Sequence, residues 1–287
     1  MWIGLLLAAG SGFAQTFQID YRRAMRTQDT AKVRKVLAAW QRKEPQNPDL
    51  FVARFNYLLR KAYRVEVSTS QATGRGVAIQ QKDGKPAGSI NEGYEPQLLE
   101  AARATLREGI QLAPERLDMR FGLAKTYELT HEPDREVAVL AATLADHKAS
   151  GKPWRWSEGK ALPAPETVFL PESLEEYMLP YWQANTPADA EVARRLAELI
   201  NQYYPESSLG PFNLGMYYSL QQQPDKARCF SRPTAAAPTT GRLSNLTRLA
   251  INTNRKAEAQ QYLASLQKLL AGRPAAADLG KEVRKMK

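Results

Sequence analysis

Cysteine is almost absent from this 287-residue chain. Cys229 stands alone, so no intramolecular disulfide can form and the fold must rest on packing. Beside Phe230, it reads as a small apolar packing residue. Histidine is nearly as scarce: His131 and His147 fall on different predicted elements with no close Cys or acidic partner at ligand spacing, so no metal site and no cofactor is indicated. No nucleophile–base arrangement is visible. Glu172, Glu175 and Glu176 cluster, but they follow Pro171 and are read as acids complementing the free N–H groups of a helix start. Gly74-Arg75-Gly76 lacks the strand before and helix after that frame a phosphate loop. Asn245-Leu-Thr247 matches a glycosylation triplet but falls in a predicted helix. These shortages together argue against an enzyme.

Acidic residues are outnumbered, 30 against 40 basic, for a net charge of +10. Both signs are interleaved (Arg34, Lys35, Arg42, Lys43, Glu44; Arg194, Arg195, Glu198), so the reading is a solvated basic surface and no nucleic-acid partner. Long apolar runs are also missing, apart from Met1-Trp-Ile-Gly-Leu-Leu-Leu-Ala-Ala, followed by small residues with Gly12 and Ala14 before a cut site. That run is too short for a membrane span and fits a signal peptide over 1–14, though no Lys or Arg precedes it. Export to the periplasm or outside the cell is expected, and a cytoplasmic location if the signal does not function. The alternative is an apolar first helix. The protein is not expected to be integral to a membrane.

What the chain does have is one pattern repeated around Pro45, Pro114 and Pro205. Twelve, eight and five places before these prolines stand Val33/Leu37/Trp40, Ala102/Leu106/Gly109 and Ala193/Ala197/Ile200. After them come Arg54/Phe55/Leu58, Leu123/Ala124/Tyr127 and Leu214/Gly215/Tyr218. Each triplet shares one helix face, and each proline stops the first helix. The small Ala124 and Gly215 allow close helix approach. This frame resembles the tetratricopeptide repeat family, whose period is about 34 residues. The clearest stretch is Pro211-Phe-Asn-Leu-Gly-Met-Tyr-Tyr218 followed by Ala227, and Leu246, Ala259, Leu263 and Leu266 make a final copy. The resemblance implies an all-α fold, a right-handed α-solenoid of about six helix hairpins over residues 17–272, with a polar cap or tail at 273–287.

The frame is interrupted in three places. Residues of about 65–95 alternate and then flank Asp83-Gly84, predicting a small β-hairpin with a type I′ turn. Residues of about 148–171 are dense in Pro and Gly and hold Trp154-Arg155-Trp156. Two indoles around a guanidinium could stack a glycan or small ligand, or the tryptophans could anchor the loop. Ser231-Arg232-Pro233 predicts a bent or truncated second helix in its hairpin.

In tetratricopeptide arrays the first helix of each hairpin lines a concave groove, which here implies Phe121, Lys125, Met178, Trp182, Phe212, Asn213 and Met216. That surface suits an apolar peptide or helix face, with internal packing as the alternative for Phe121 and Met178. The family's carboxylate clamp is not matched. Asn213 fits one place, but Met178, Trp182 and Asn245 stand where Lys, Asn and Arg belong. The chain is also similar to bacterial exported tetratricopeptide proteins through Pro114-Glu-Arg-Leu-Asp-Met-Arg-Phe-Gly122, the Trp-rich loop and Leu243-Ser-Asn-Leu246. The expected function is a non-catalytic scaffold binding a protein or peptide in its groove. The alternative is a glycan or small-ligand module built on the Trp-rich loop. The oligomeric state is left open.

Overall fold

A computed structural model describes residues 10–69, 77–184, 186–230, 243–244, 247–248, 250–251, 255–270 and 277–286, without the side chains of 10–15, 228–230 and 277–278. The expectations for Gly74–Gly76, Pro233, Asn245, Leu246 and the Cys229 side chain fall outside the described residues. The chain forms two compact units, Met1–Ala161 and Leu162–Lys287.

In the first unit α1 (Gly10–Arg26) pairs with α2 (Thr30–Lys43), α3 (Pro48–Ala62) with α4 (Pro96–Leu112), and α5 (Leu117–Leu129) with α6 (Pro133–Ser150). In the second unit α7 (Glu166–Ala184) pairs with α8 (Pro187–Tyr203) and α9 (Leu209–Leu220) with α10 (Pro224–Phe230). Helical residues within 243–251 precede α11 (Lys256–Leu270) and α12 (Ala277–Lys285). The fold is all-α with one small β insertion, as the repeat frame implies. α1 begins upstream of the expected cut after Ala14.

The expected apolar stripes are the cores. Val33, Leu37 and Trp40 pack with Tyr21 and Leu50, and Phe17 stacks on Trp40 at 5.9 Å. Ala102 and Leu106 meet Phe51, Phe55, Met119, Leu123 and Tyr127. Ala193, Ala197 and Ile200 are buried on α8, and Ala259, Leu263 and Leu266 on α11. The C-terminal cap is itself a helix that buries Leu279 and Val283 in the same cluster as Leu263 and Leu266, rather than a wholly polar tail.

Pro45, Pro114 and Pro205 do more than stop a helix. The preceding Glu44, Ala113 and Tyr204 have φ/ψ of −139°/66°, −135°/74° and −132°/63°. Each donates its N–H to the carbonyl four residues back, on Trp40, Gly109 and Ile200. Each carbonyl in turn accepts from the N–H three residues ahead, on Asn47, Arg116 and Ser207. Proline therefore holds the second place of a β-turn, where its fixed φ is already correct. The three turns are nearly superimposable copies.

A second repeated turn was not visible in the sequence frame. Gln28, His131 and Gln222 have φ of 56°, 56° and 55°. The next residues, Asp29, Glu132 and Gln223, donate back to the carbonyls of Ala24, Tyr127 and Tyr218, the six-to-one closure that ends a helix with a left-handed residue. Arg255 likewise donates its N–H to the Ala250 carbonyl five residues back. Left-handed backbone costs a side-chain-bearing residue on the order of 1–2 kcal/mol. Its recurrence at one place in three hairpins marks a repeating unit.

The β insertion lies within the α3/α4 hairpin, where the α1/α2, α5/α6 and α9/α10 hairpins have this short turn. It is a three-stranded antiparallel sheet rather than a two-stranded hairpin: β1 (Tyr63–Ser68) and β2 (Val77–Gln80) flank β3 (Pro86–Tyr94). The Glu95 N–H donates to the Ala62 carbonyl at 2.8 Å and closes the base of the insertion. The turn at Asp83-Gly84 is not type I′. Gly84 has φ of 83° but Asp83 is not left-handed, and the Gly84 N–H donates to the Gln81 carbonyl at 2.9 Å. The Asp83 carboxylate accepts from the Lys85 N–H and so favours this conformation.

The second interruption is shorter than expected, 151–165, because α6 runs to Ser150 and α7 starts at Glu166. The Pro165 carbonyl accepts from Val168 and Phe169 and begins α7, so Pro171 and Pro180 lie inside this helix. Glu172, Glu175 and Glu176 therefore sit beyond its first turn, not at its start.

Candidate functional site

The sequence-predicted site residues divide between the two units. In the first, the 151–165 loop is tied down through its backbone. Arg155 donates its N–H to the Glu115 carbonyl at 2.8 Å and accepts from Leu117 at 2.9 Å, a parallel bridge opposite Arg116. This pairing leaves the Arg155 residue exposed while Trp154 is 5% exposed and Trp156 is half-buried. Trp154 stacks on His147 at 4.7 Å and lies under the Arg120 guanidinium at 5.5 Å. Arg120 also donates to the Pro114 carbonyl and pairs with Asp146 at 2.8 Å. Trp156 meets Phe121 edge-on at 6.1 Å.

The two indoles thus serve as anchors on α5 and α6, and no guanidinium is held between them. A glycan platform needs an open aromatic face. Trp154 offers none and Trp156 is engaged with Phe121, so the ligand-module alternative is set aside. Trp156 also covers Phe121, which is 8% exposed. Lys125 remains at the surface of α5 and pairs with the buried Glu128 carboxylate.

Arg116 carries the load where the loop joins α5. Its guanidinium pairs with Asp118 through Nε and Nη2, both at 2.8 Å, and with Asp49 of α3 at 2.7 Å. Burial works against its charge, but the hydrogen bonds and charges of Asp118 and Asp49 outweigh that and raise its pKa above the ordinary arginine value.

In the second unit, α7 and α9 are the first helices of adjacent hairpins and touch each other. Trp182 of α7 donates from Nε1 to Asn213 Oδ1 of α9 at 2.9 Å. Asn213 is 2% exposed, donates to the Leu209 carbonyl at 2.9 Å, and reaches Glu175 Oε1 at 3.5 Å. The amide is therefore fully used inside the protein. Burial raises the pKa of Glu175, and the neighbouring Glu172 adds to the rise, while the Asn213 amide opposes it.

Phe212 is 8% exposed and Met178 is fully buried, so both support the surface from beneath. Trp182 and Met216 are half-buried. Leu179, one turn before Trp182, is 48% exposed, and Leu220, one turn beyond Met216, is 56% exposed. Leu179 and Leu220 were missed in the sequence, and Glu175 was read only as a helix-start acid. The signal was their spacing of three, four or seven residues from Trp182 and Met216. Together these residues give each first helix of the second unit an apolar strip, with one indole locked in orientation by a buried amide.

Among the described residues, no group of three or more His, Cys, Asp or Glu could hold a metal ion. No described helix is long and apolar enough to cross a membrane.

Paired helices, copied proline turns and copied left-handed turns define the class: this is a tetratricopeptide-like helical-hairpin repeat protein. No family model matches the sequence, and no curated protein matches it. Three similar solved structures share little sequence with it. PilW, described as a widely conserved type IV pilus biogenesis factor, is 11% identical, with 93% of this chain and 98% of that chain covered and a TM-score of 0.41. Cut9–Hcn1, the APC/C hetero-tetramer, is 11% identical, with 93% and 43% covered and a TM-score of 0.31. A tetratricopeptide repeat protein from Parabacteroides merdae is 10% identical, with 94% and 98% covered and a TM-score of 0.28. At these scores the similarities carry no functional argument.

Proposed function

We propose that this protein is an exported, non-catalytic scaffold that holds a protein partner on the first helices of its hairpins, chiefly α7 and α9. The observation that supports this best is the strip Leu179, Trp182, Met216 and Leu220, apolar side chains left half-covered on helices that otherwise bury their apolar stripes. Interfaces favour such rigid aromatic and Met anchors. The Trp182–Asn213 hydrogen bond fixes the indole in advance, so little side-chain freedom is lost when a partner binds. The apolar segment at 1–9 and the small residues after it motivate the export reading.

The test is co-purification of the exported form with a stoichiometric partner, comparing the wild type with Leu179→Lys/Met216→Lys. Loss of the partner in this variant, and its retention when Lys replaces the exposed Ala38 and Gln202 instead, is the expected result. Equal retention by both variants would contradict the reading. N-terminal sequencing of the exported protein checks the cut after Ala14.

A further inference from the structure

The outer face of α2 carries five cations, Lys32, Arg34, Lys35, Arg42 and Lys43, and the helix contains no acidic residue. All five are exposed, and among the described residues none has a side-chain hydrogen bond or ion pair. Other helices pair at least some of their surface cations with acids. Arg107 of α4 pairs with Glu100, and Arg194 of α8 pairs with both Glu191 and Glu198. The two acids that flank α2 are committed elsewhere. Asp29 caps the helix through the Lys32 N–H, and Glu44 accepts from Trp40 and Asn47.

Stability does not account for this arrangement. Arg42 and Lys43 suit the helix C-terminus, but Lys32 stands in the first turn, where the helix dipole opposes a positive charge. Lys32 and Lys35 are also like charges three residues apart on one face. With Val33, Leu37 and Trp40 turned into the core, Lys35 and Arg42 point outward, and Arg34, Lys32 and Lys43 flank them.

We infer that α2 is an electrostatic docking surface for an anionic lipid bilayer. The face is a helical ridge, and beside its cations it carries only alanines, Thr30 and the half-covered Val36 and Gln41. It offers no apolar centre to seat a folded protein, and lysine, three of the five cations, is depleted at protein interfaces. Its one aromatic residue, Trp40, is fully buried, so no base could stack there. Flexible, fully hydrated cations on a ridge match a flat, fluid surface of anionic headgroups. Each contributes about fivefold in affinity at low salt, and the attraction fades as the Debye length shortens.

The test is co-sedimentation of the full chain with phosphatidylcholine vesicles containing about one-third phosphatidylglycerol. Lys32→Gln/Lys35→Gln/Lys43→Gln is compared with a charge-matched control, Lys82→Gln/Lys148→Gln/Lys268→Gln. The α2 variant is expected to bind about a hundredfold more weakly and the control within about threefold of wild type. Lys32→Arg/Lys35→Arg/Lys43→Arg, which keeps the charge, is expected to bind like wild type; failure of that variant would overturn the proposal. Equal loss in the α2 variant and the control would assign binding to overall charge and overturn it. So would wild-type binding to pure phosphatidylcholine, or no binding to the anionic vesicles at low salt. Capture of wild type by polyglutamate with no vesicle binding would point to an acidic protein instead.

Discussion

Arg116 and Glu175 show how much a single side chain's role depends on what surrounds it. Arg116 is 3% exposed, yet it stays charged because Asp118 and Asp49 hold it from two elements. Removing one partner of a buried pair costs about 3–5 kcal/mol when nothing replaces it. Asp118→Ala leaves Asp49 in place, so a loss near 3 kcal/mol is expected in urea unfolding followed in the first unit. Asp49→Ala is expected to cost less, since Asp118 supplies the two-point contact.

Glu175 gives the opposite sign. Burial raises its folded-state pKa above the unfolded value, so the folded protein keeps the proton longer. Its favourable contribution is fully present below the ordinary glutamate pKa and is lost as pH rises through the folded value. Glu175→Gln is therefore expected to stabilise the second unit at neutral pH, and the gap from wild type should close as pH falls toward ~4. A gap that is constant with pH would show that Glu175 does not titrate differently in the folded state. The residues around Glu175 in the sequence did not show this, because its partner Asn213 lies far along the chain, on α9.

Among the elements, the helices were the most legible, since an apolar triplet ahead of each proline needs only the 3.6-residue period to be read. Gly109 illustrates why the frame tolerates a glycine inside α4. A Cβ there would lie 2.6 Å from Met119 Sδ and 2.9 Å from Phe51 Cβ. Ala for Gly in a helix ordinarily gains about 1 kcal/mol. Here Gly109→Ala is expected to lose about 1–3 kcal/mol instead, because overpacking against Phe51 outweighs propensity. Hydrogen exchange should show the loosening in α3, α4 and α5 and leave α8 and α9 protected, since repeat stability is built from nearest neighbours.

Other elements were harder to read for physical reasons. Pro171 looked like a helix start because proline is favoured there, yet α7 holds it in its interior and begins on the Pro165 carbonyl. The left-handed turns at Gln28, His131 and Gln222 carry no glycine, so no residue type advertised them. The sheet gained a third strand because β1 continues directly from α3 at Tyr63, where the sequence shows no turn signal. The candidate site was half legible. Trp182 and Met216, expected at groove positions, are half-buried, whereas Trp154, Phe121 and Phe212 are buried.

At the scale of the whole molecule, the chain divides its work between regular hairpins that build the framework and surfaces that the framework leaves uncovered. Each unit has its own core, and the second presents its apolar strip on α7 and α9. The net charge of +10 is not spread evenly: α2 carries five exposed cations and no acidic residue. The proposed partner-binding surface is the α7/α9 strip. A photo-crosslinking residue is placed at Leu179 in the full chain and, as a control, at the exposed Gln202 of α8. The expected result is one discrete cross-linked partner from position 179, absent from position 202 and displaced when Met216→Lys is added. Cross-links of equal yield and pattern from both positions, or none from 179, would contradict it.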